Sequence, residues 1–356
     1  MSNRVCSVFV KLTVLSTFVA TAAAAGCGGG NGGSGTGSSG GTNGTPGGMT
    51  SSAGTTATGS PTSSTGGTPG TDGTTTVEGL VGNGAEWPMP NSQVDVASGA
   101  PNPQSYTDNG DGTVTDNVTG LMWQQAASPN TYTWADAVAY CPTLALAGHS
   151  DWRLPLRIEL LSIVDVGHRN PSIDGTYFPS TPADYFWSAS PVAGSPSYAW
   201  IVFFLIGHSE YNFTVSDSGF ARCVRSASAQ ASSSIGRYTA AGGTVYDHRT
   251  GLTWQRSTTL TEYTWVDAKT HCGGLGTSLG GSGWRLPTVK ELQTIVDDSR
   301  VNPSIDPTAF PAASSYDFWS SSPLVGLSDA AWEVRFDKGN SYQWFVSSTY
   351  EVRCVR

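Results

Sequence analysis

Apolar residues recur at helical spacing in two short stretches of the chain, 157–165 and 289–297. The stretches read RIELLSIVD and VKELQTIVD, and one residue separates each stretch from the WRLP motif before it. Because the apolar residues of each stretch fall on one side, both stretches predict a short amphipathic helix. The apolar residues are Leu160, Leu161, Ile163 and Val164 in the first stretch and Leu292, Ile295 and Val296 in the second.

A threonine followed three residues later by an acidic residue has the spacing of a capping box, which marks the first turn of a helix. The chain has three such pairs: Thr133 with Asp136, Thr264 with Asp267, and Thr288 with Glu291. After the first WRLP motif, Leu156 occupies the cap position, so Glu159 is the only residue of a capping box at that place. We expect Arg153 and Arg285, the arginines of the two WRLP motifs, to contact backbone carbonyls or a carboxylate within their own domains.

Runs rich in aromatic and β-branched residues follow the helices and predict strands. They lie at 185–190, 199–204 and 220–225, and again at 317–322, 331–336 and 351–356. An earlier run, TVTDNVTGLMWQQ at 113–125, predicts a hairpin in which Gly120 marks the turn. Helices followed by antiparallel strands predict an α+β fold in which each domain has two short helices and a twisted antiparallel sheet.

Most of these motifs occur twice, at an offset of 131 or 132 residues. A period this long indicates two tandem domains, which we place at 106–225 and 236–356. A lead-in segment at 81–105 precedes them, and a linker at 226–235 joins them. Ten tryptophans form five equivalent pairs between the domains, which predicts that they are core residues. The pairs are Trp123 and Trp254, Trp134 and Trp265, Trp152 and Trp284, Trp187 and Trp319, and Trp200 and Trp332.

Cysteine spacing predicts one disulfide in each domain. Cys141 and Cys223 are 82 residues apart, and Cys272 and Cys354 have the same separation. Four cysteines allow three connectivities, and the repeat favours the pairs Cys141–Cys223 and Cys272–Cys354. Reactive or metal-binding thiols are the alternative, but no histidine stands near these cysteines at ligand spacing.

The N-terminal region has the pattern of an export signal. Residues 1–26 combine Arg4 and Lys11 with a short apolar run that ends in small residues, which is typical of a signal peptide. The letters AAGC end at Cys27 and resemble a lipobox, which makes Cys27 the lipidated residue. An ordinary signal peptide cut near Ala25 is the alternative.

Residues 27–80 are rich in glycine, serine and threonine and carry almost no charge. Such a segment buries too little apolar surface to offset its ordering entropy, which predicts a disordered tether. The residue after Cys27 is Gly28 and not Asp, so the resemblance to lipoproteins implies an outer-membrane or cell-surface lipoprotein that meets the membrane only through its lipid anchor. A periplasmic or secreted protein is the alternative.

The charge of the chain limits the classes of partner that it can bind. The net charge of −9 makes nucleic acid an unsuitable partner. Residues 106–225 carry 5 basic and 11 acidic residues, whereas residues 236–356 carry 11 and 12. A sulphated polysaccharide would therefore meet the second domain more readily than the first.

The ordered series TWADAVAYC, WRLP, NPSID, FWSAS and RCVR resembles the Lcl C-terminal domain family of bacteria. The resemblance covers nearly all of both domains. It implies a C-type-lectin-like fold, grouped with the formylglycine-generating enzymes, in which the disulfide ties the first helix to the last strand. It also implies an extracytoplasmic protein. In some members of the family the domain forms the end of a surface adhesin that binds glycosaminoglycans.

No residue pattern predicts a metal, a cofactor or a catalytic centre. The run DNGDG at 108–112 lacks the spacing of a calcium loop and predicts a tight turn. The two NPSID motifs also predict turns, although Asp165 with Asp174, or Asp297 with Asp306, offers oxygen ligands for a cation as an alternative. Oxidase chemistry of the formylglycine-generating type would need free cysteines, and the predicted disulfides use all four.

Four residues of the second domain are candidate ligand contacts. Tyr342 and Trp344 lie in the sequence GNSYQWF, which we interpret as a loop between two strand-like runs, and aromatic rings beside Asn and Gln suit sugar stacking. Arg335 and Lys338 form a basic cluster nearby. A packed aromatic hairpin is the alternative interpretation.

These features favour a surface-anchored, non-enzymatic binding or adhesion protein that recognises glycan or another envelope component. Two tethered domains that engage one surface gain avidity. A structural envelope lipoprotein without a specific ligand is one alternative. An enzyme with an unrecognised site on a formylglycine-generating-enzyme-like fold is the other. We expect a specific function to lie where the two copies differ.

Overall fold

The computed structural model describes residues 85–226, 236–258 and 260–356. The predicted signal peptide, Cys27 and the predicted tether lie outside the described residues, as do the start of the predicted lead-in and all but the first residue of the predicted linker. Within the described part, the helices are too short or too polar to cross a membrane.

The first repeat follows a four-residue helix, α1 (Gln93–Val96), and combines helices with two small sheets. One sheet has the strand order β1 (Tyr106–Asp108), β2 (Thr113–Asp116), β3 (Leu121–Gln124) and β7 (Val224–Ser226). The other contains β4 (Tyr185–Pro191), β5 (Tyr198–Phe203) and β6 (His208–Thr214). Between the two sheets in sequence come helices α2 (Trp134–Tyr140) and α3 (Arg157–Ser162).

The second repeat has the same plan. Its first sheet contains β8 (Tyr238–Ala241), β9 (Thr244–Asp247) and β10 (Thr253–Gln255). Its second contains β11 (Asp317–Pro323), β12 (Ala330–Arg335) and β13 (Ser341–Phe345). The helices are α4 (Trp265–Gly273), α5 (Gly276–Leu279) and α6 (Val289–Thr294). The strands named above pair antiparallel within each sheet, so the chain is a mixed helix-and-sheet protein built from two tandem repeats.

The last predicted strand of each repeat is mostly not a strand. In the first repeat, Phe220 bridges to Phe186 in the second sheet before Val224 joins β3 in the first sheet. This segment therefore passes from one sheet to the other and pairs only briefly with each. Arg222 lies fully buried between those two contacts, and its guanidinium donates to the carbonyl oxygens of Gln124 and Gln125. Arg353 makes the equivalent bonds in the second repeat.

Helix starts agree with the capping pattern. The hydroxyl oxygens of Thr133 and Thr264 accept hydrogen bonds from the third residue of α2 and α4, respectively. Thr288 and Glu291 form the full capping box of α6. At α3 only the glutamate half exists: the Leu156 amide donates to Glu159 over 2.7 Å.

The core of each repeat contains its tryptophans and its disulfide. Eight of the ten paired tryptophans are buried, whereas Trp134 and Trp265 are only half-buried. Those two lie at the first position of α2 and α4, where the ring covers the sheet edge and the indole N–H donates to a backbone carbonyl, that of Ser188 or Ser320. Both predicted disulfides are present: Cys141–Cys223 and Cys272–Cys354.

The described residues form one compact unit in which the repeats share a core. Helices α3 and α6 pack against each other, and each buries a cation that reaches the other repeat. The Arg157 guanidinium pairs with Asp298 at 2.6 Å and donates to the side chain of Gln293. The Lys290 ammonium donates to the carbonyl oxygens of Ser162 and Val164, at 2.9 and 2.6 Å.

The segment before the first repeat belongs to this shared core. Trp87 and Met89 are buried in the cluster that contains residues of both repeats. The Asn91 side chain accepts a hydrogen bond from Thr288, in the second repeat, over 2.8 Å. The Ser92 hydroxyl accepts one from the Val166 amide, in the first repeat, over 2.8 Å. The segment therefore joins the two repeats from a third side.

Candidate functional site

The four candidate contacts lie on or beside the β12–β13 hairpin, but not in a loop. Tyr342 and Trp344 belong to strand β13, so the interpretation of their segment as a loop is wrong. Its residues complete a ladder with β12, and this pairing satisfies their backbone groups better than a loop would. Arg335 ends β12, and Lys338 lies in the turn between the strands.

Strand register places three of the candidates on one face with two carboxyl groups. Arg335 is opposite Asp317 of β11, and Tyr342 is opposite Glu333. Because successive side chains of a strand alternate between faces, Glu333, Arg335, Tyr342, Trp344 and Asp317 share a side of the sheet. We call this set of five residues the carboxylate face.

Trp344 is the most exposed member of the carboxylate face. Its side chain is 52% exposed, a large value for tryptophan, and Phe345 beside it is 53% exposed on the opposite face of the strand. An exposed indole offers a flat apolar surface that can stack on a sugar ring while its N–H donates a hydrogen bond.

The first repeat fills four of these five positions with hydrophobic or aromatic side chains. Tyr185, Ile201 and Phe203 stand where the second repeat has Asp317, Glu333 and Arg335, and Phe213 takes the place of Trp344 by its pairing with Ala199. The Tyr185 ring lies 4.3 Å from that of Phe203 and 4.2 Å from that of Phe213. Glu210 takes the place of Tyr342 by its pairing with Ile201, so the first repeat keeps a polar side chain here but lacks the Asp317–Glu333 pair and the exposed indole.

The two carboxyl groups of the site hold their protons more tightly than usual. Burial raises the pKa of Glu333 well above its ordinary value, and the neighbouring Asp317 charge raises it further. Burial also raises the pKa of Asp317, although the Arg335 charge opposes that change. The pair therefore has the properties of two carboxyl groups that share a proton, with Glu333 the more protonated partner.

The predicted basic cluster is neutralised by its surroundings. The Arg335 Nε atom lies 3.7 Å from an Asp317 oxygen and 3.6 Å from an Asp337 oxygen. The Lys338 ammonium lies 4.0 Å from the centre of the Tyr211 ring, which belongs to the first repeat. The structure thus separates Lys338 from the carboxylate face and places Arg335 between two acids, which disfavours a polyanion at this site.

The carboxylate face continues into the first repeat at the edge of β13. The Tyr342 hydroxyl lies 3.5 Å from a carboxylate oxygen of Glu210 on β6, and the other Glu210 oxygen is 3.2 Å from the His208 ring. The Ser209 amide donates to the Ser341 hydroxyl and fixes the two strand edges together. Polar side chains therefore extend from one repeat to the other.

The aspartates considered for a cation make local hydrogen bonds. Asp174 and Asp306 accept bonds from backbone amides two or three residues later. Asp165 accepts from the Gly167 amide and contacts the His168 ring, and Asp297 contacts Ser299 and Arg300. Among the described residues, no three His, Cys, Asp or Glu side chains are arranged to hold a metal ion.

Sequence reasoning missed Asp317 and Glu333. The strand sequences AWIVFF and AWEVRF differ at two positions, where Glu333 replaces Ile201 and Arg335 replaces Phe203. In the preceding strand, YFWSAS against DFWSSS, Asp317 replaces Tyr185. A carboxylate at an inward position of a strand is exceptional, because an ionisable side chain is rarely buried without a partner. Position-by-position comparison of the repeats, restricted to strand residues of one face, would have identified both residues.

A comparison with protein families matches this chain twice. The model described as the Lcl C-terminal domain covers residues 112–225 and 243–356, which together make up more than half of the chain. Each match includes the disulfide, the whole second sheet and most of the first sheet of one repeat, and only the first strands, β1 and β8, lie fully outside. A comparison with curated proteins finds no significant match. The chain therefore belongs to the Lcl C-terminal domain family and contains two tandem copies of that domain.

Proposed function

We propose that this protein is a surface-anchored, non-enzymatic binding or adhesion protein that recognises glycans through the carboxylate face of its second repeat. The exposed Trp344 carries this proposal, because it stands on the same face as two carboxyl groups and a guanidinium. An aromatic platform with polar groups beside it matches the chemistry of a saccharide, which has apolar ring faces and a rim of hydroxyl groups.

The difference between the repeats supports a ligand role for this face. A purely structural sheet has no need of an exposed tryptophan, and the first repeat packs the rings of Tyr185, Phe203 and Phe213 together at three of the equivalent positions. Burying an ionisable pair costs stability in comparison with such packing. The second repeat bears that cost on one face only, which is characteristic of a binding site rather than of a framework.

The proposed setting follows from the N-terminal sequence. A signal peptide at 1–26, a lipid on Cys27 and a flexible tether at 27–80 would hold the repeats at the outer membrane or cell surface. The alternative of a periplasmic or secreted protein requires only that Cys27 stays unmodified. We also propose that each repeat has a C-type-lectin-like fold, supported by the disulfide between the first long helix of the repeat and its C-terminal segment.

A glycan array probed with the purified full chain tests the proposal. We expect retention of a defined subset of glycans, and we expect Trp344→Ala to weaken it at least tenfold, equivalent to about 1.4 kcal/mol. Tyr246→Ala is the matched control, because Tyr246 is an exposed aromatic residue of the same repeat on a different sheet.

The array result can contradict the proposal in two ways. If no glycan is retained, or if Trp344→Ala and Tyr246→Ala behave alike, glycan recognition by this face is wrong. A parallel array in EDTA tests the metal-free character of the site. Retention that EDTA abolishes would show that recognition depends on a bound cation.

A further inference from the structure

The second repeat contains a cavity at a place that a tyrosine ring fills in the first repeat. Strands β1 and β8 place Tyr106 and Tyr238 at equivalent positions. In the first repeat, the Tyr177 ring lies 5.4 Å from the Tyr106 ring, and Tyr106 is only 7% exposed. The matching sequences DGTYF and DPTAF put Ala309 in the place of Tyr177. The Tyr238 ring, without such a neighbour, is only half-buried.

The missing ring leaves a cavity of about 270 Å³ beside Tyr238. The residues that line it are Arg237, Tyr238, Ala240, Asp306, Thr308 and Ala309. The tyrosine ring and the two alanine methyl groups are apolar, and the other three side chains place polar groups around them. This combination is typical of small-molecule sites. An apolar cavity of about 150 Å³ already holds benzene, so this cavity has room for a substituted six-membered ring.

The walls of the cavity are held in place by contacts within the second repeat. The Arg237 guanidinium donates to Asp247 over 2.9 Å and lies 4.9 Å from the centre of the Tyr238 ring. The Arg256 guanidinium donates to the carbonyl oxygen of Ala309 over 3.4 Å. A ligand can therefore enter a site whose walls are already ordered, which lowers the entropic cost of binding.

One carboxylate oxygen of the lining is available to a ligand. Both hydrogen bonds that Asp306 accepts, from the amides of Thr308 and Ala309, end on its Oδ1 atom, so its Oδ2 atom can accept a bond from a ligand. The guanidinium groups of Arg237 and Arg256 flank the same segment, so a cationic ligand would meet repulsion as well as attraction. A hydroxyl group suits this position, because it donates one bond and adds no charge.

The first repeat indicates which kind of ring fits. Its occupant is a phenol ring, tilted by 52° against the ring of Tyr106. Such a tilted contact between aromatic rings is favourable beyond the apolar area that it buries. Tyr238 offers the same partner ring in the second repeat. A sugar ring would instead bring several hydroxyl groups against the methyl groups of Ala240 and Ala309, where they lose water without gaining partners.

We infer that this cavity binds a small molecule that carries a phenol ring, with the ring packed against Tyr238 and its hydroxyl group donating to Asp306. The ligand takes the place that the Tyr177 side chain occupies in the first repeat. Binding is non-covalent. The site lies beside a different sheet from the carboxylate face, so the inference does not depend on the proposed glycan recognition.

A ligand-observed NMR titration of the full chain tests this inference. The probes are p-cresol, which is the side chain of tyrosine as a free molecule, 4-methylcyclohexanol, which keeps the hydroxyl group but has no aromatic ring, and methyl β-glucoside. We expect p-cresol to bind at least tenfold more tightly than either of the other two. Absence of p-cresol binding overturns the inference. Equal or tighter binding of the glucoside also overturns it and would assign the cavity to a sugar.

Two matched variants exchange the cavity between the repeats. Ala309→Tyr puts the ring of the first repeat into the cavity, and we expect it to weaken p-cresol binding at least tenfold without lowering the unfolding midpoint. Tyr177→Ala opens the equivalent space in the first repeat, and we expect the number of p-cresol molecules bound per chain to rise from one to two. Unchanged p-cresol binding by either folded variant overturns the inference.

A third variant tests the position of the hydroxyl group. Asp306→Asn keeps an oxygen for the amides of Thr308 and Ala309 but replaces the available acceptor with an NH₂ group, which donates. We expect p-cresol to bind at least threefold more weakly and 4-methylanisole, whose hydroxyl group is capped by a methyl group, to bind equally well to both proteins. An equal loss for both compounds, or no loss for p-cresol, overturns the assigned contact with Asp306.

Discussion

At the residue scale, the arginine of each WRLP motif pairs with a glutamate of the following helix, and that glutamate has two structural roles. The Glu291 carboxylate accepts the Thr288 amide at the start of α6 and also receives two hydrogen bonds of 2.6 Å from Arg285. Arg153 and Glu159 repeat this arrangement in the first repeat. The expectation that each arginine contacts a carboxylate of its own domain is confirmed.

Removing the charge of that glutamate should destabilise the protein. In Glu291→Gln, Arg285 loses its anionic partner, and the start of α6 loses one acceptor oxygen. We expect the free energy of unfolding in urea to fall by about 2–4 kcal/mol, which is less than the roughly 3–5 kcal/mol for a fully buried ion pair because Arg285 is partly exposed. Asp329→Asn, at an exposed turn, is the control and should change it by less than about 0.5 kcal/mol. A smaller effect for Glu291→Gln than for the control would contradict this role.

Asp95 introduces a pH dependence of stability. Burial raises its pKa to about 6, and Lys290 opposes that change only in part. The unfolded chain loses this proton near pH 4, whereas the folded chain keeps it to about pH 6, so Asp95 costs stability as the pH rises through that interval. The difference between these pKa values is equivalent to roughly 3 kcal/mol.

The variant Asp95→Asn removes this titration. We expect the stability of the variant relative to the wild type to increase by about 2–2.5 kcal/mol between pH 4 and pH 7, because the unfolded chain is already more than half ionised at pH 4. Urea unfolding at both pH values measures this difference. A relative stability that stays constant, or that decreases with pH, would contradict the assignment.

At the element scale, the α3–α6 contact depends on charges that differ between the copies. Arg157 is equivalent to Val289, and Lys290 is equivalent to Ile158, so each helix contributes one buried cation at a different position. The Arg157 guanidinium also lies 4.5 Å from the centre of the Trp200 ring. The repeats are thus joined by an asymmetric set of polar contacts around an approximately symmetric apolar core.

This contact should behave as a coupled pair. Arg157→Met leaves Asp298 buried without its cation, and we expect a loss of about 3–5 kcal/mol in the free energy of unfolding. The double variant Arg157→Met with Asp298→Leu should recover most of that loss, because no uncompensated charge remains. Additive losses in this double-mutant cycle would show that the two residues act independently.

Secondary structure was predictable from sequence where local signals are strong. Capping pairs gave the starts of α2, α4 and α6, and aromatic runs gave β4, β5, β11 and β12. Strands β6 and β13 were missed because their sequences, HSEYNFT and SYQWF, contain almost no β-branched residues and directly follow glycine-containing turns. Their strand conformation comes from the neighbouring strand, since tertiary context overrides weak local preference.

The packing of the two repeats against each other and the residues of the candidate site were harder to predict from the sequence. Nothing in the local sequence of Arg157 or Lys290 shows that their partners are more than 100 residues away. Tyr342, Trp344 and Arg335 were predictable because aromatic and basic residues stand out in a short segment. Asp317 and Glu333 join them only through strand register, which a single sequence does not reveal.

At the scale of the whole molecule, the shared core makes the two repeats one folding unit. The segment around Asn91 and the buried cations of α3 and α6 connect both repeats, so neither keeps its full set of partners alone. We expect one cooperative unfolding transition, with the same midpoint by tryptophan fluorescence and by far-ultraviolet circular dichroism. Two separated transitions would contradict a common core.

The two repeats also provide a direct test of the central claim, that recognition lies where they differ. The variant Asp317→Tyr, Glu333→Ile and Arg335→Phe gives the second repeat the side chains of the first at these three positions. We predict that this triple variant stays folded, with an unfolding midpoint no lower than that of the wild type, and loses glycan retention on the array. Retention equal to that of the wild type by the folded variant would contradict the account.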